Sequence, residues 1–127
     1  MEFQYYEIKK SRFYSIAYKI VDRKQINEFK TKTLEMLNIK KSPNHICYGY
    51  YFRENGIIVG GFDDDGEPKG TAGKPIRDLI IKSNTEGIII FVIRYFGGKM
   101  LGAGGLGRAY NNSASLALKG YKQLELV

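Results

Sequence analysis

The stretch from Glu86 to Leu118, EGIIIFVIRYFGGKMLGAGGLGRAYNNSASLAL, decides the fold of this chain. Its first part, Ile88 to Ile93, is an uninterrupted apolar run whose length and β-branched content predict a strand buried on both faces. A glycine-rich loop follows, and helical spacing begins at Leu106. The glycines that precede the helix are Gly102, Gly104 and Gly105. Such a loop suits either an anion at a helix N-terminus or close packing of the backbone.

The rest of the chain predicts four more strands and two more helices. The strands are Phe3–Ile8, Arg12–Ile20, Ile46–Arg53 and Ile57–Phe62. The first helix runs from Asp22 to about Asn38, and the second starts between Ala72 and Ile76 and ends near Ser83-Asn84. Gly120 is typical of the residue that ends a helix, which predicts the C-terminus of the last one. Tyr121 to Val127 alternates weakly and is expected to form an edge strand or a docked tail.

Length and composition predict one domain with an anionic partner. The 127 residues include 20 basic and 13 acidic side chains, a net charge of +7 that makes nucleic acid the first candidate partner. The alternative is a lysine-rich protein without that function. No apolar stretch is long enough for a membrane span, and the single cysteine, Cys47, excludes an internal disulfide and points to the cytoplasm.

Four carboxylates lie close together in the loop before the second helix. Asp63, Asp64, Asp65 and Glu67 could together supply the oxygen ligands of Mg²⁺ or Ca²⁺, although their spacing does not fit an EF-hand. The alternative is structural: these acids solvate the loop, cap the next helix or pair with Arg94 and Arg108. The structural role is favoured, no cofactor is expected, and magnesium is the less favoured alternative.

His45 and Cys47 are two residues apart and so lie on one face of a strand. A Cys–His pair can act as a nucleophile and base, but neighbours on one strand rarely have an orienting third group. A structural role, in which the two side chains fill space in the fold, is favoured, and no catalytic residue is predicted.

The candidate anion-binding set combines cations, aromatic rings and the loop glycines. Its members are Arg12, Lys74, Arg94, Tyr95, Phe96, Lys99, Gly102, Gly104, Gly105 and Arg108. The cations Arg94, Lys99 and Arg108 would hold phosphates, while Tyr95 and Phe96 would stack on bases or shape the wall. The alternative is that these two rings pack under the turn and that the arginines bridge to the acidic loop.

Three segments resemble the motifs of the YigZ/IMPACT family. They are DDGEPKGTAGKP (64–75), RYFGG (94–98) and LGAGGLGRAY (101–110). Two shorter blocks, KSRF (10–13) and HICY (45–48), fall where that family has similar ones. The resemblance covers roughly residues 10–118.

The resemblance implies an α+β fold like that of the second domain of a small-subunit ribosomal protein. It would be a two-layer sandwich, with helices packed on one face of a mixed β-sheet and an unusual left-handed crossover. The family is linked to translation control: its eukaryotic members bind a partner that activates a translation-factor kinase, and its bacterial members look like nucleic-acid binders. No accepted catalytic residues come with it.

Residues 1–127 are therefore expected to form a single IMPACT-type domain, with neither the ferredoxin-like second domain of bacterial relatives nor the RWD domain of eukaryotic ones. The function favoured is a non-enzymatic, cytoplasmic, translation-linked regulatory module that binds RNA or another polyanion through a basic, glycine-rich groove. Two helix N-termini, after the acidic loop and after the glycine loop, are expected to open on it. The alternatives are a protein-interaction regulator contacting the translation machinery, and a metal-dependent enzyme acting on a phosphorylated substrate.

Overall fold

The computed structural model describes residues 2–125, which form one five-stranded sheet and three helices. In chain order the elements are β1 (Gln4–Ile8), β2 (Ser11–Lys19), α1 (Gln25–Leu37), β3 (His45–Glu54), β4 (Ile57–Asp63), α2 (Gly73–Lys82), β5 (Ile88–Tyr95) and α3 (Gly102–Glu125). The strand order is β1-β2-β5-β3-β4. The predicted α+β class is confirmed. Within the described residues, no helix has both the length and the apolar character needed to cross a bilayer.

The last strand in sequence, β5, lies at the centre of the sheet. It pairs antiparallel with β2 on one side and with β3 on the other, and the two hairpins β1–β2 and β3–β4 are antiparallel as well. All four strand pairings are therefore antiparallel, and the prediction of a mixed sheet is wrong. Because β2 and β3 run in the same direction, one strand inserted between them can be antiparallel to both.

Alternate residues of β5 contribute to two separate cores. Ile88, Ile90 and Val92 lie in the first core, and Ile89, Phe91 and Ile93 lie in the second. Helices α2 and α3 cover the first core, whereas α1 covers the second, where Phe29 stacks on Tyr18 with ring centroids 4.7 Å apart. The expectation of helices on one face only is thus corrected. A strand that is apolar on both sides needs cover on both sides, and the apolar stripe of α1 supplies it.

Helix α3 is longer at both ends than its sequence predicts. It begins at Gly102, whose φ of +72° favours glycine, and it continues through Gly120 to Glu125. The predicted start at Leu106, the end at Gly120 and the strand or tail over 121–125 are therefore wrong; residues 126 and 127 lie outside the described part. At Gly120 a β-carbon would lie 2.9 Å from Gln4 Nε2, which is the far end of a flexible side chain on β1.

Candidate functional site

Asp64 caps helix α2. Its Oδ1 accepts hydrogen bonds from the backbone N–H groups of Ala72 (3.2 Å) and Gly73 (2.8 Å), and its Oδ2 accepts one from Gly70 (2.8 Å). The Ala72 and Gly73 donors belong to the start of α2, where backbone N–H groups have no partner within the helix, and Gly70 lies in the loop before it. The N-terminus of α2 is therefore closed by this chain's own carboxylate, and the expectation that it opens on a groove is wrong.

The neighbouring aspartates also bind backbone donors. Asp65 Oδ2 accepts from the N–H of Ile46 at 2.7 Å, and Asp63 Oδ1 accepts from the N–H of Asp65 at 3.0 Å. Among the described residues, no group of three or more His, Cys, Asp and Glu side chains is placed to hold a metal ion. The structural alternative for the acidic loop thus accounts for each of its aspartates.

Glu67 is the centre of a buried polar cluster, called here the Glu67 network, which consists of Glu67, Arg94, Ser11, His45 and Tyr110. Arg94 Nη1 donates to both Glu67 oxygens, at 3.1 and 2.8 Å, and its Nε and Nη2 donate to Ser11 Oγ. Tyr110 donates its hydroxyl proton to Glu67 Oε2 at 2.5 Å. His45 Nε2 lies 3.3 Å from Oε1. The network joins β2, β3, β5, α3 and the acidic loop.

Burial decides the role of Arg94. Its side chain is 6% exposed and that of Glu67 is 4% exposed, so the two charges face each other away from water. A guanidinium held in this way has little capacity left for a phosphate. The structure therefore favours the alternative in which this arginine bridges to the acidic loop over its role as a phosphate ligand.

Cys47 lies beside the network, and both this thiol and the Tyr110 phenol within the network stay protonated. Burial raises the pKa of the Cys47 thiol and likewise the pKa of the Tyr110 phenol, since neither charged form is solvated there. The Cys47 Sγ lies 3.2 Å from the carbonyl oxygen of Asp64 and 3.6 Å from the Tyr110 hydroxyl. A thiol that stays protonated is a poor nucleophile, which agrees with a structural role for Cys47.

An open cleft of about 370 Å³ lies above the network; it is called here the α3 cleft. Its polar floor is formed by Glu67, Arg94 and His45, and its walls include Phe96, Leu101 and Leu106. Gly102 and Ala103, at the start of α3, line it as well. The acidic loop, through Glu67, and the start of α3 thus both line this cleft, whereas the N-terminus of α2 does not.

The structure distributes the remaining predicted residues over two other places. Gly104 and Arg108 line a groove of about 400 Å³ between α2 and α3, and Lys74 lies at its edge with Nζ 3.5 Å from Asp78 Oδ2. On the opposite face of the sheet, Arg12 lies over the Tyr95 ring, 5.2 Å from its centroid.

Tyr95 is not available for base stacking. It is 1% exposed, and its hydroxyl donates to the carbonyl oxygen of Lys41 at 2.9 Å. Phe96 differs because it is 41% exposed at the α3 cleft. The alternative that both rings pack under the turn therefore holds for Tyr95 and not for Phe96.

The surface around the start of α3 is basic. No acidic side chain occurs in the first turn of this helix, and Lys99 and Arg108 are exposed before and after it. The turn between β1 and β2 adds Lys10, whose backbone packs so closely on Gly97 that no β-carbon fits there. Of the nearby carboxylates, Glu67 is paired with Arg94, and Asp78 with Lys74 and Arg77.

Sequence reasoning missed the roles of Ser11 and Tyr110. Ser11 accepts both remaining contacts of Arg94, and Tyr110 reaches Glu67 from α3. The only signal in the sequence was their place within family-like blocks, because residues so far apart in the chain show no spacing pattern.

Comparison with known proteins matches residues 9–118 to the family described as Impact N-terminal domain. An IMPACT family member of Haemophilus influenzae is 39% identical over 116 residues, covering 89% of this chain and 54% of that protein. IMPACT family member YvyE of Bacillus subtilis is 40% identical over 114 residues, covering 87% and 49%. The crystal structure of a hypothetical protein has a TM-score of 0.80 at 32% identity, covering 93% and 56%. This chain spans about half the length of the curated relatives it matches.

Proposed function

This chain belongs to the IMPACT family, and we propose that it is a non-enzymatic, cytoplasmic module that binds RNA, or another polyanion, in a translation-linked regulatory role. The translational setting is what the family resemblance implies. The binding role rests on the basic surface at the start of α3. It does not use the buried Arg94 or the buried Tyr95, whose places in the network and core are described above.

One observation carries the proposal: the exposed start of α3 combines backbone donors with exposed cations. Gly102, Ala103 and Gly104 are exposed, the first turn of α3 holds no acidic side chain, and Lys99 and Arg108 are exposed on either side. Helix N-termini attract anions through their free N–H groups and the helix dipole. Phosphates of a polynucleotide supply such anions in a row, which suits a set of spaced cations.

The test is fluorescence anisotropy with a labelled single-stranded RNA of mixed sequence, measured across a salt series. The double variant Lys99→Ala/Arg108→Ala removes two proposed phosphate contacts, so the slope of log K against log salt should fall by roughly 1.4 units. The matched control is Lys119→Ala/Lys122→Ala, which removes the same charge from exposed positions near the other end of α3. The control should leave most of the slope unchanged.

Equal slopes for wild type and the Lys99/Arg108 variant would contradict the proposed site. Equal losses in both double variants would show that RNA responds only to the net charge of the chain. Arg94→Ala is unsuitable for this test, because it would leave Glu67 buried without its partner and so would report on stability.

A second candidate is a protein-interaction module for a partner in the translation machinery. The observation in its favour is exposed apolar surface at the mouth of the α3 cleft, where Met100 is 81% exposed and Phe96 is 41% exposed. A protein partner held by apolar contacts should remain bound at salt concentrations that release RNA. Retention of a partner at moderate salt, with no measurable RNA binding, would favour this candidate.

A further inference from the structure

We propose that the α3 cleft receives one unstacked base of single-stranded RNA, with the Phe96 ring as its stacking platform. This inference rests on the proposed function and specifies its ligand: a single strand, recognised partly through a base. Four features support it, namely an available ring, apolar walls, a polar floor and an exposed cation, Lys99, in the loop that carries the ring.

The Phe96 ring is exposed and already held in place. The Arg94 guanidinium carbon lies 5.3 Å from its centroid, and the backbone N–H of Phe96 donates to Asn44 Oδ1 at 2.9 Å. Arg94 is itself fixed by Glu67 and Ser11. A ring that is fixed before binding loses little conformational entropy on stacking, which favours affinity.

The shape and lining of the cleft suit a base. Its volume of about 370 Å³ falls within the range of small-molecule pockets, and Leu101, Leu106 and Met100 line it with apolar surface. The buried Glu67 network underlies the polar floor, and the less buried Asn44 and His45 supply polar groups that a ligand can reach. A base offers a flat face to the apolar walls and a hydrogen-bonding edge to the polar groups, which is the usual way in which proteins read single-stranded RNA.

The charge around the cleft complements the backbone attached to such a base. Lys99 follows Phe96 closely in the same loop and is exposed, and the first turn of α3 carries no acidic group. Phosphates on either side of an inserted base would therefore lie against cations and helix N–H groups. A duplex has its bases stacked and paired inside, so it cannot offer a base to the cleft without unpairing.

The experiment compares two polyanions, a single-stranded RNA and inorganic polyphosphate, which has phosphates but no bases. Phe96→Leu keeps an apolar side chain and removes the ring, so it should weaken RNA binding at least about fivefold and leave polyphosphate binding unchanged. The matched control is Phe62→Leu. Phe62 is 38% exposed and also has an arginine over its ring, Arg77 at 4.9 Å, but it lies on β4 away from the cleft.

A second variant gives a direct signal. The chain contains no tryptophan, so Phe96→Trp introduces a single indole. Its fluorescence should be quenched by single-stranded RNA and not by polyphosphate, while Phe62→Trp should respond to neither. This readout remains valid if Phe96→Leu proves too unstable to assay.

The outcomes separate this inference from the proposed function. Unchanged RNA affinity in Phe96→Leu with no quenching of Phe96→Trp would overturn base insertion, yet the effect of Lys99→Ala/Arg108→Ala would still establish a polyanion site. Equal losses of RNA and polyphosphate binding in Phe96→Leu would also overturn it. Binding of polyphosphate but not of RNA by the wild type would overturn base insertion alone, and binding of neither would overturn both proposals.

Discussion

At Glu67, a single carboxylate is bound by a guanidinium and a phenol within the core. A buried ion pair of this kind need not be more stabilising than apolar side chains of similar volume, because both charges lose their hydration. Breaking it is different, since the remaining charge stays buried without a partner. The network therefore fixes which side chains meet between the sheet and α3, and this holds the floor of the α3 cleft.

Glu67→Gln should lower the free energy of unfolding by about 3–5 kcal/mol, because the Arg94 charge would remain buried without a counterion. Urea denaturation at pH 7 measures the change. The matched control is Glu86→Gln, which removes a carboxylate from the exposed pair with Arg53, where the two groups are 3.6 Å apart. The control should cost about 1 kcal/mol or less. Similar costs for the two variants would show that the Glu67 charge is not needed by Arg94.

At the scale of residues, the sequence shows which side chains carry charge or aromatic rings, but it does not show which of them contact each other in the fold. Arg94 is one of the cations that the sequence marks, but its partners Glu67 and Ser11 come from other segments of the chain. Tyr95 and Phe96 are adjacent and similar, yet one is buried and the other exposed. Alternation along β5 separates them, and this becomes visible only once the strand is known to extend to Tyr95.

At the scale of elements, two glycines serve opposite purposes. Gly49 on β3 touches α2 so closely that a β-carbon would overlap the backbone nitrogen of Arg77. Gly107 in α3 has open space, since its nearest neighbour to an added β-carbon is Pro75 Cγ at 4.0 Å. The first is needed for the packing of α2 on the sheet, whereas the second only lowers the helix propensity of α3.

Gly49→Ala and Gly107→Ala should therefore change stability in opposite directions. Gly49→Ala should destabilise by about 1–3 kcal/mol, because α2 must move away from β3. Gly107→Ala should stabilise by about 0.5–1 kcal/mol, because alanine is the better helix former. Thermal and urea unfolding of the two variants measure both effects. A destabilising Gly107→Ala would show that this glycine is needed for packing against α2.

The elements themselves are predictable to different degrees. The apolar run of β5 predicts a strand buried on both faces, and the structure confirms it. The start of α3 at Gly102 is missed because glycine is a poor helix former, so a run of glycines favours a loop on sequence alone. Packing decides otherwise: Leu106, Ala109 and Tyr110 are buried in the first core, which holds the helix against the sheet.

At the scale of the whole molecule, β5 joins two otherwise separate hairpins. In the order β1-β2-β5-β3-β4, the hairpin β1–β2 meets the hairpin β3–β4 only through β5. Its pairings link distant parts of the chain, such as Ser15 with Val92 and Cys47 with Val92. Both cores also depend on β5, so the first two-thirds of the sequence contains no complete sheet.

A fragment of residues 1–84 should therefore be unfolded, because isolated hairpins are marginally stable in water. Far-UV circular dichroism and the dispersion of amide NMR signals test this. Addition of a peptide of residues 85–127 supplies β5 and α3, and it should restore the native spectrum at a 1:1 ratio. A peptide in which Val92 is replaced by Asp serves as the control and should fail, because that position is fully buried. Cooperative folding of residues 1–84 alone would mean that the two hairpins pair directly, and the central role of β5 in stability would then be wrong.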